Sequence, residues 1–365
     1  MTNRKMRLSF IVCVLMAVIV YGQNNTDTTS LKSLKEVYAG KFLIGTAADL
    51  KGYSDAELAN IKTQYDIVTP ENCMKPQPIH PSEDTYNFAT ADAMVDWCQK
   101  NGVKVWGHNL VWHAQTGRWF FQGPDGQPAS RELAIERLKK HIFTVVGHYK
   151  GRVVGWDVVN EAIADSGAGK TENLRNYSWY KIIGPDVLNM AFKWAHEADP
   201  NAKLFYNDYN IEQGAVENTG KHASSMILLK RLLAEKVPIT GVGIQGHWHL
   251  DTNLADVEKA ITDYASLGLE VSITELDVTA TGENSGAFGI RGNNKPIPKE
   301  NYIKQAEVYK KLFEIFKRHA DVIDRVTFWG ISDTRSWRRG QDALLFDGKL
   351  QPKPAFKAVI EAGLE

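Results

Sequence analysis

From residue 42 to the end of the chain, short apolar runs alternate with longer amphipathic stretches. This beat constrains the fold more than any other feature. Strands that alternate with helices pair in parallel, with the helices packed outside. The runs 42–47, 66–69, 103–107, 153–159, 203–206, 242–245, 269–274 and 325–329 read as strands. The stretches 55–65, 91–100, 131–149, 186–198, 216–235, 255–267, 300–319 and 354–362 read as helices, with Pro185 where a helix start tolerates proline. Eight such units give a single α/β domain, a (β/α)8 TIM barrel. An open doubly wound sheet would carry a glycine-rich phosphate turn after its first strand. The segment Gly45-Thr46-Ala47-Ala48 is not that turn.

Polar residues collect just past the strand ends. Glu71 and Asn72 follow the second strand, His108 the third, Asn160 and Glu161 the fourth. Asn207 and Asp208 follow the fifth, Gln245 and His247 the sixth, Glu275 and Asp277 the seventh. In a parallel barrel this rim carries the chemistry. The connections 164–184 and 279–299, rich in Gly and Asn, fall on the same face. Glu161 and Glu275 each close an apolar run, GWDVVNEA at 155–162 and LEVSITELDV at 269–278. Opposed carboxylates suit glycosidic bond cleavage, one protonating the leaving oxygen while the other attacks or positions water. The charge of Glu275 is expected to raise the pKa of Glu161, so that Glu161 starts as the acid. The other reading of either glutamate taken alone is a solvated rim charge.

Trp112, Trp248, Trp329 and Trp337 stand at or just past strand ends. Flat rings there suit stacking on the C–H faces of sugars; the other reading of each is core packing. Lys75 lies one short turn beyond Glu71 and Asn72, a grouping suited to several hydroxyls, though alone it reads as surface charge. His247-Trp248-His249 puts two imidazoles on one side of a strand. With His108 and His113 it raises a metal-dependent barrel hydrolase as an alternative. No helical His-x-x-x-His pair accompanies it, and His249 is expected in a loop beyond the strand. The preferred reading makes His247 a neutral hydrogen-bond partner of Glu275, oriented by Asp277. A non-catalytic polysaccharide-binding barrel is a further alternative, but binding alone does not need both carboxylates.

The N-terminus is a separate object. Arg4, Lys5 and Arg7 precede an apolar run over 8–21, and Gly22 offers a small-residue cleavage site before Gln23. The run is shorter than the roughly 20 residues of a membrane span, so 1–22 reads as a secretory signal. Residues 23–35 read as a polar linker and 36–365 as the barrel. The mature chain is expected in the periplasm or the medium, off the membrane. Lys plus Arg and Asp plus Glu each number 43, for a net charge of zero, which excludes an electrostatic nucleic-acid partner. Cys73 is expected at the top of a strand and Cys98 late in a descending helix, roughly 10 Å apart or more at 1.5 Å per residue. That separation exceeds the reach of a disulfide.

These residues together make the chain resemble glycoside hydrolase family 10, the retaining endo-β-1,4-xylanases. The motifs that carry the resemblance are Thr69-Pro-Glu-Asn-Cys-Met-Lys75, Gly107-His-Asn-Leu-Val-Trp-His113, Trp156-Asp-Val-Val-Asn-Glu161, Tyr206-Asn-Asp-Tyr-Asn210, Gly243-Ile-Gln-Gly-His247 and Ile273-Thr-Glu-Leu-Asp277. They run in order from about residue 34 to the C-terminus. The resemblance implies Glu161 as acid/base, Glu275 as nucleophile, and His247 with Asp277 as the nucleophile's support. Asn160 would contact the 2-hydroxyl of the sugar being cleaved. Glu71, Asn72, Lys75, Trp112 and Gln115 would line the glycone side. His108, Gln245 and His247 would surround the cleavage point, Tyr209 would bind substrate, and Trp329 with Trp337 would form the roof. It implies a monomer acting on xylan or xylo-oligosaccharides, with no metal and no cofactor. A β-1,4-glucan or mixed-linkage activity on the same site is the alternative within the class. The family usually has Thr where Asn109 stands and often Arg where Trp106 stands. The segment Trp337-Arg-Arg-Gly-Gln-Asp342 is short and basic. No appended carbohydrate-binding module is evident.

Overall fold

A computed structural model describes residues 32–281 and 296–365. The expected signal, Cys13, most of the expected linker and the middle of the 279–299 connection lie outside the described residues.

Ser33–Glu365 forms one compact unit. Its strands are β1 (Leu43–Ala47), β2 (Ile67–Thr69), β3 (Lys104–Val105), β4 (Gly107–Val111), β5 (Gly155–Asn160), β6 (Lys203–Asp208), β7 (Gly241–Ile244), β8 (His247–His249), β9 (Glu270–Thr279) and β10 (Ile323–Phe328). Parallel pairing runs β3-β2-β1-β10-β9-β7-β6-β5-β4. β3 and β4 are two pieces of one stave interrupted at Trp106. The ladder continues through the break, with Trp106 N donating to Val68 O at 3.0 Å and Val154 N to Val105 O at 2.9 Å. The path therefore closes on itself as an eight-stave barrel. Helices outside and side chains inside bury both faces of a stave, so every residue of β5 is buried.

Interlocked ring-and-glycine pairs join the staves, two inside the barrel (Gly155 with Trp106, Gly241 with Phe205) and one on its outer face under the helices (Gly107 with Trp156). A Cβ on Gly107 would lie 2.2 Å from the ring of Trp156, and one on Gly155 2.4 Å from the ring of Trp106. A Cβ on Gly241 would lie 2.2 Å from Phe205. Each large ring thus occupies the side-chain space of a glycine on another stave. Arg325 lies flat on Trp106, 3.3 Å from its ring centre, and is wholly buried.

Several elements depart from the sequence expectation. Ser33 and Leu34 are buried, and Leu34–Val37 is helical, so residues 33–35 belong to the folded unit. Glu36 accepts from the amide and hydroxyl of Ser33 at 2.8 and 2.7 Å, and Tyr38 Oη donates to Val359 O at 2.6 Å. The helix expected over 216–235 starts only at Gly220, after left-handed turns of the backbone at Asn218 (φ 53°) and at Gly220 itself (φ 58°). A helix, Ser178–Ile183, interrupts the connection 164–184. β4 and β9 both outrun their apolar stretches, so His108, Glu275 and Asp277 are strand residues, not residues past the strand ends. β8 makes the β9 extension possible by pairing His247 with Asp277 and His249 with Thr279. His249 therefore lies in a strand, not in a loop. Cys73 and Cys98 are buried and unpaired.

Candidate active site

Glu161 is the first residue past β5, and its N–H continues the ladder to Asn207 O at 2.8 Å. Its φ is +57°, left-handed for a residue with a side chain. Trp112 Nε1 donates to its Oε2 at 2.8 Å and Gln245 Nε2 to its Oε1 at 3.0 Å. His113 Nδ1 stands 3.8 Å from the same Oε2. Burial is the chief reason its pKa lies above the usual carboxylate range. The Gln245 amide opposes the rise, the charge of Asp208 adds to it, the Trp112 indole opposes it, and Glu275 contributes least. The acid form of Glu161 is thus held mainly by desolvation, not by Glu275 as the sequence suggested.

Glu275 is held the opposite way. Asn207 Nδ2 donates to its Oε1 at 2.8 Å, and His247 Nε2 stands 3.2 Å from its Oε2. Burial would raise its pKa, yet the imidazoles of His247 and His108 and the Asn207 amide together lower it. His247 in turn places Nδ1 2.9 Å from Asp277 Oδ2. Burial disfavours its charge, but Asp277 and Glu275 outweigh that and bring its pKa to about 9. His247 is therefore an imidazolium at neutral pH, not the neutral ring expected from sequence. Asp277, wholly buried, also accepts Trp337 Nε1 at 2.9 Å and faces Arg338 Nε at 2.7 Å. The basic segment that looked anomalous in sequence is thus tied to the acid behind Glu275.

Asn207 is the residue that sequence reading left at the rim without a role. Its Nδ2 donates to Asn160 Oδ1 and to Glu275 Oε1, each at 2.8 Å, and its Oδ1 accepts Thr274 Oγ1 at 2.6 Å. Gln245 Nε2 reaches the same Asn160 oxygen at 3.4 Å. Amides therefore link the two carboxylates: Glu275 to Asn207, Asn207 to Asn160, Asn160 to Gln245, Gln245 to Glu161. Gly243 makes room for this chain, since a Cβ there would lie 2.4 Å from Asn207 Oδ1. Its position directly past the apolar part of β6 is the signal that marks Asn207 in the sequence.

One cavity of about 250 Å³ opens over both glutamates. Glu71, Asn72, Lys75, Trp112 and Gln115 line one side of it. Lys75 is buried, not a surface charge, and its Nζ donates to Asn72 Oδ1 at 3.3 Å and sits 4.9 Å from the Trp112 ring centre. Gln115 Nε2 donates to that same oxygen at 3.3 Å. His108, Asn160, Tyr209, Gln245, His247, Trp329 and Trp337 complete the lining. His108 is held by Asp157 through Nδ1 at 2.9 Å, and Asn109 Nδ2 stands 3.3 Å from its Nε2. The hydroxyl of Tyr209 is engaged by Asp165 and Arg175. Trp248 is not part of the wall: it is buried in the core and donates to Glu212 Oε1 at 2.9 Å. His249 pairs with Asp251, away from His247's partners. Among the described residues, no three His, Cys, Asp or Glu side chains are grouped to hold a metal ion.

Comparison with known proteins agrees with this geometry. The beta-1,4-xylanase of Dictyoglomus thermophilum is 40% identical over 99% of this chain and 100% of its own length. Exoglucanase XynX of Acetivibrio thermocellus is 40% identical over 92% of this chain, which spans only 30% of that protein. Among solved structures, an intracellular xylanase of Thermoanaerobacterium saccharolyticum, crystallised as a Glu→Ala mutant with xylotetraose, superposes with a TM-score of 0.82. It is 39% identical, over 90% of this chain and 98% of that one. A sequence model of glycosyl hydrolase family 10 matches residues 33–362, nearly the whole folded unit, and with relatives this similar along their full length the chain belongs to that family.

Proposed function

We propose that this chain is an endo-1,4-β-xylanase that hydrolyses internal bonds of xylan with net retention. The observation that carries this is the unequal pair at the cleft. Burial raises the pKa of Glu161, while the imidazole and amide partners of Glu275 lower its own. In a double displacement Glu161 protonates the glycosidic oxygen as Glu275 attacks the anomeric carbon, giving a glycosyl ester. Esterification removes the charge of Glu275 and leaves the His247 imidazolium unopposed on that side. The change favours ionised Glu161, which then takes a proton from the attacking water.

Xylose rather than glucose is favoured by Lys75 and Trp337. The first is held by Asn72 and the second by Asp277, so neither side chain is free to make way for a hydroxymethyl arm. Xylan, arabinoxylan, mixed-linkage glucan and cellulose digested in parallel, with products sized, test the substrate. Equal kcat/KM on xylan and cellulose oligomers of one length would overturn the preference. The roles are tested with azide and an aryl xylobioside. Glu161→Ala should yield the β-glycosyl azide and Glu275→Ala the α-azide; the reverse would exchange the assignments. Export is proposed on the N-terminal segment alone, and among the described residues no helix is long and apolar enough to cross a membrane. Fractionation of a producing culture tests export, and gel filtration tests the proposed monomer.

A further inference from the structure

Successive side chains of a strand point to opposite faces. Asn160 and Glu161 are successive, yet both line the catalytic cavity. The left-handed backbone of Glu161, φ +57°, is what breaks the alternation and turns its carboxyl into the cleft beside Asn160. That conformation is unfavourable for a residue bearing a Cβ and persists only where its surroundings enforce it.

The enforcement comes from Arg175, within the 164–184 connection. Three consecutive carbonyls end on this one residue. Glu161 O accepts from Arg175 Nε at 3.2 Å, Ala162 O from the Arg175 amide at 2.6 Å, and Ile163 O from Nη2 at 3.0 Å. The guanidinium is itself fixed. Nη2 also donates to Tyr209 Oη at 2.9 Å, Nη1 donates to Asp165 Oδ2 at 3.2 Å, and Tyr209 Oη donates to Asp165 Oδ1 at 2.6 Å. A planar fork can make this set of bonds at once, whereas an ammonium cannot.

We propose that Arg175 is a positioning residue for proton transfer, holding Glu161 in the left-handed backbone that aims its carboxyl at the leaving oxygen. This rests on the reading of Glu161 as the acid/base. It acts through the backbone and does not touch substrate. Its loss therefore penalises reactions in proportion to their need for an acid.

The test compares kcat/KM on xylotetraose, whose leaving sugar needs a proton, with that on dinitrophenyl β-xylobioside, whose phenolate does not. In R175M the xylotetraose value is expected to fall by about 30-fold or more, a large part of the 100- to 10,000-fold effect of a general acid, with less than about 3-fold lost on the aryl substrate. R175K keeps the charge opposite Asp165 and serves if R175M does not fold; it should show the same selective loss. Equal losses on both substrates would point to a merely structural role and overturn the proposal. So would an unchanged xylotetraose rate in either folded variant. If the unmodified chain cleaves neither substrate, the functional reading fails and this inference with it.

Discussion

Replacing His247 with Gln removes the cation between two buried carboxylates. In the native protein Asp277 and Glu275 overcome the cost of burial and lift the imidazole from 6.5 to about 9. At 1.36 kcal/mol per unit, the folded state gains about 3 kcal/mol from retaining this proton. The side chain is 7% exposed, so solvent screening takes little from that figure. The folded pKa lies above the unfolded one. The contribution is therefore complete below 6.5 and is lost as pH rises to about 9. For a folded unit of this size the unfolding entropy is about 0.7 kcal/mol/K, so the full contribution is worth about 4 °C in Tm. Thermal melts of the native protein and His247→Gln, run from about pH 6 to about pH 9.5, should show a gap that narrows by that amount as the native imidazolium titrates. The variant also carries a constant penalty from its unpaired carboxylates, which is why the narrowing and not the gap itself is diagnostic. A gap that stays constant across the window would mean that His247 is neutral in the fold. The charge balance assigned to Glu275 would then be wrong.

Two further outcomes follow from the same contacts. The Trp112 indole stabilises the ionised form of Glu161. Trp112→Phe should therefore move the alkaline limb of the kcat/KM profile to higher pH while lowering its plateau; a limb that stays or moves down contradicts the bond. Gly107→Ala would force a methyl against a wholly buried indole 2.2 Å away. It should destabilise the barrel by roughly 1–3 kcal/mol, the usual cost of overpacking, and an unchanged urea midpoint would count against the close fit of Trp156 over Gly107.

The barrel is legible in the sequence because its staves are buried on both faces, so β1 (LIGTA) and β7 (GVGI) carry no charged residue and even β5 is broken only by Asp157 before its terminal Asn160. The same logic hides the upper half of β9. Glu275 and Asp277 interrupt the run, and only the partner strand β8 reveals that the ladder continues to Thr279. Gly246, with φ +77°, resets the direction of the chain before β8. The expected sixth strand ends before that turn, so His249 is expected in a loop where β8 stands, and of the two readings of Trp248 the fold bears out core packing. The rim residues themselves were readable, since each follows an apolar stretch. The charge on His247 was not, because it depends on two carboxylates that only the fold brings within 3.2 Å. Arg175 and Arg338 sit in polar connections where nothing in composition separates a structural clamp from a solvated side chain.

The ring-into-glycine pairs between staves decide where this chain tolerates recombination with a relative. A crossover between residues 108 and 154 would inherit Trp106 and Gly107 from one parent and Gly155 and Trp156 from the other, splitting two pairs at once. A crossover between 206 and 240 would split Phe205 from Gly241. Between 162 and 204 all three pairs descend intact, while the edge-on contact of Trp106 with Phe205 and the stacking of Arg325 on Trp106 are drawn from two parents. Hybrids joined in that window keep staves already fitted to one another, while Glu161 comes from one ancestor and Glu275 from the other.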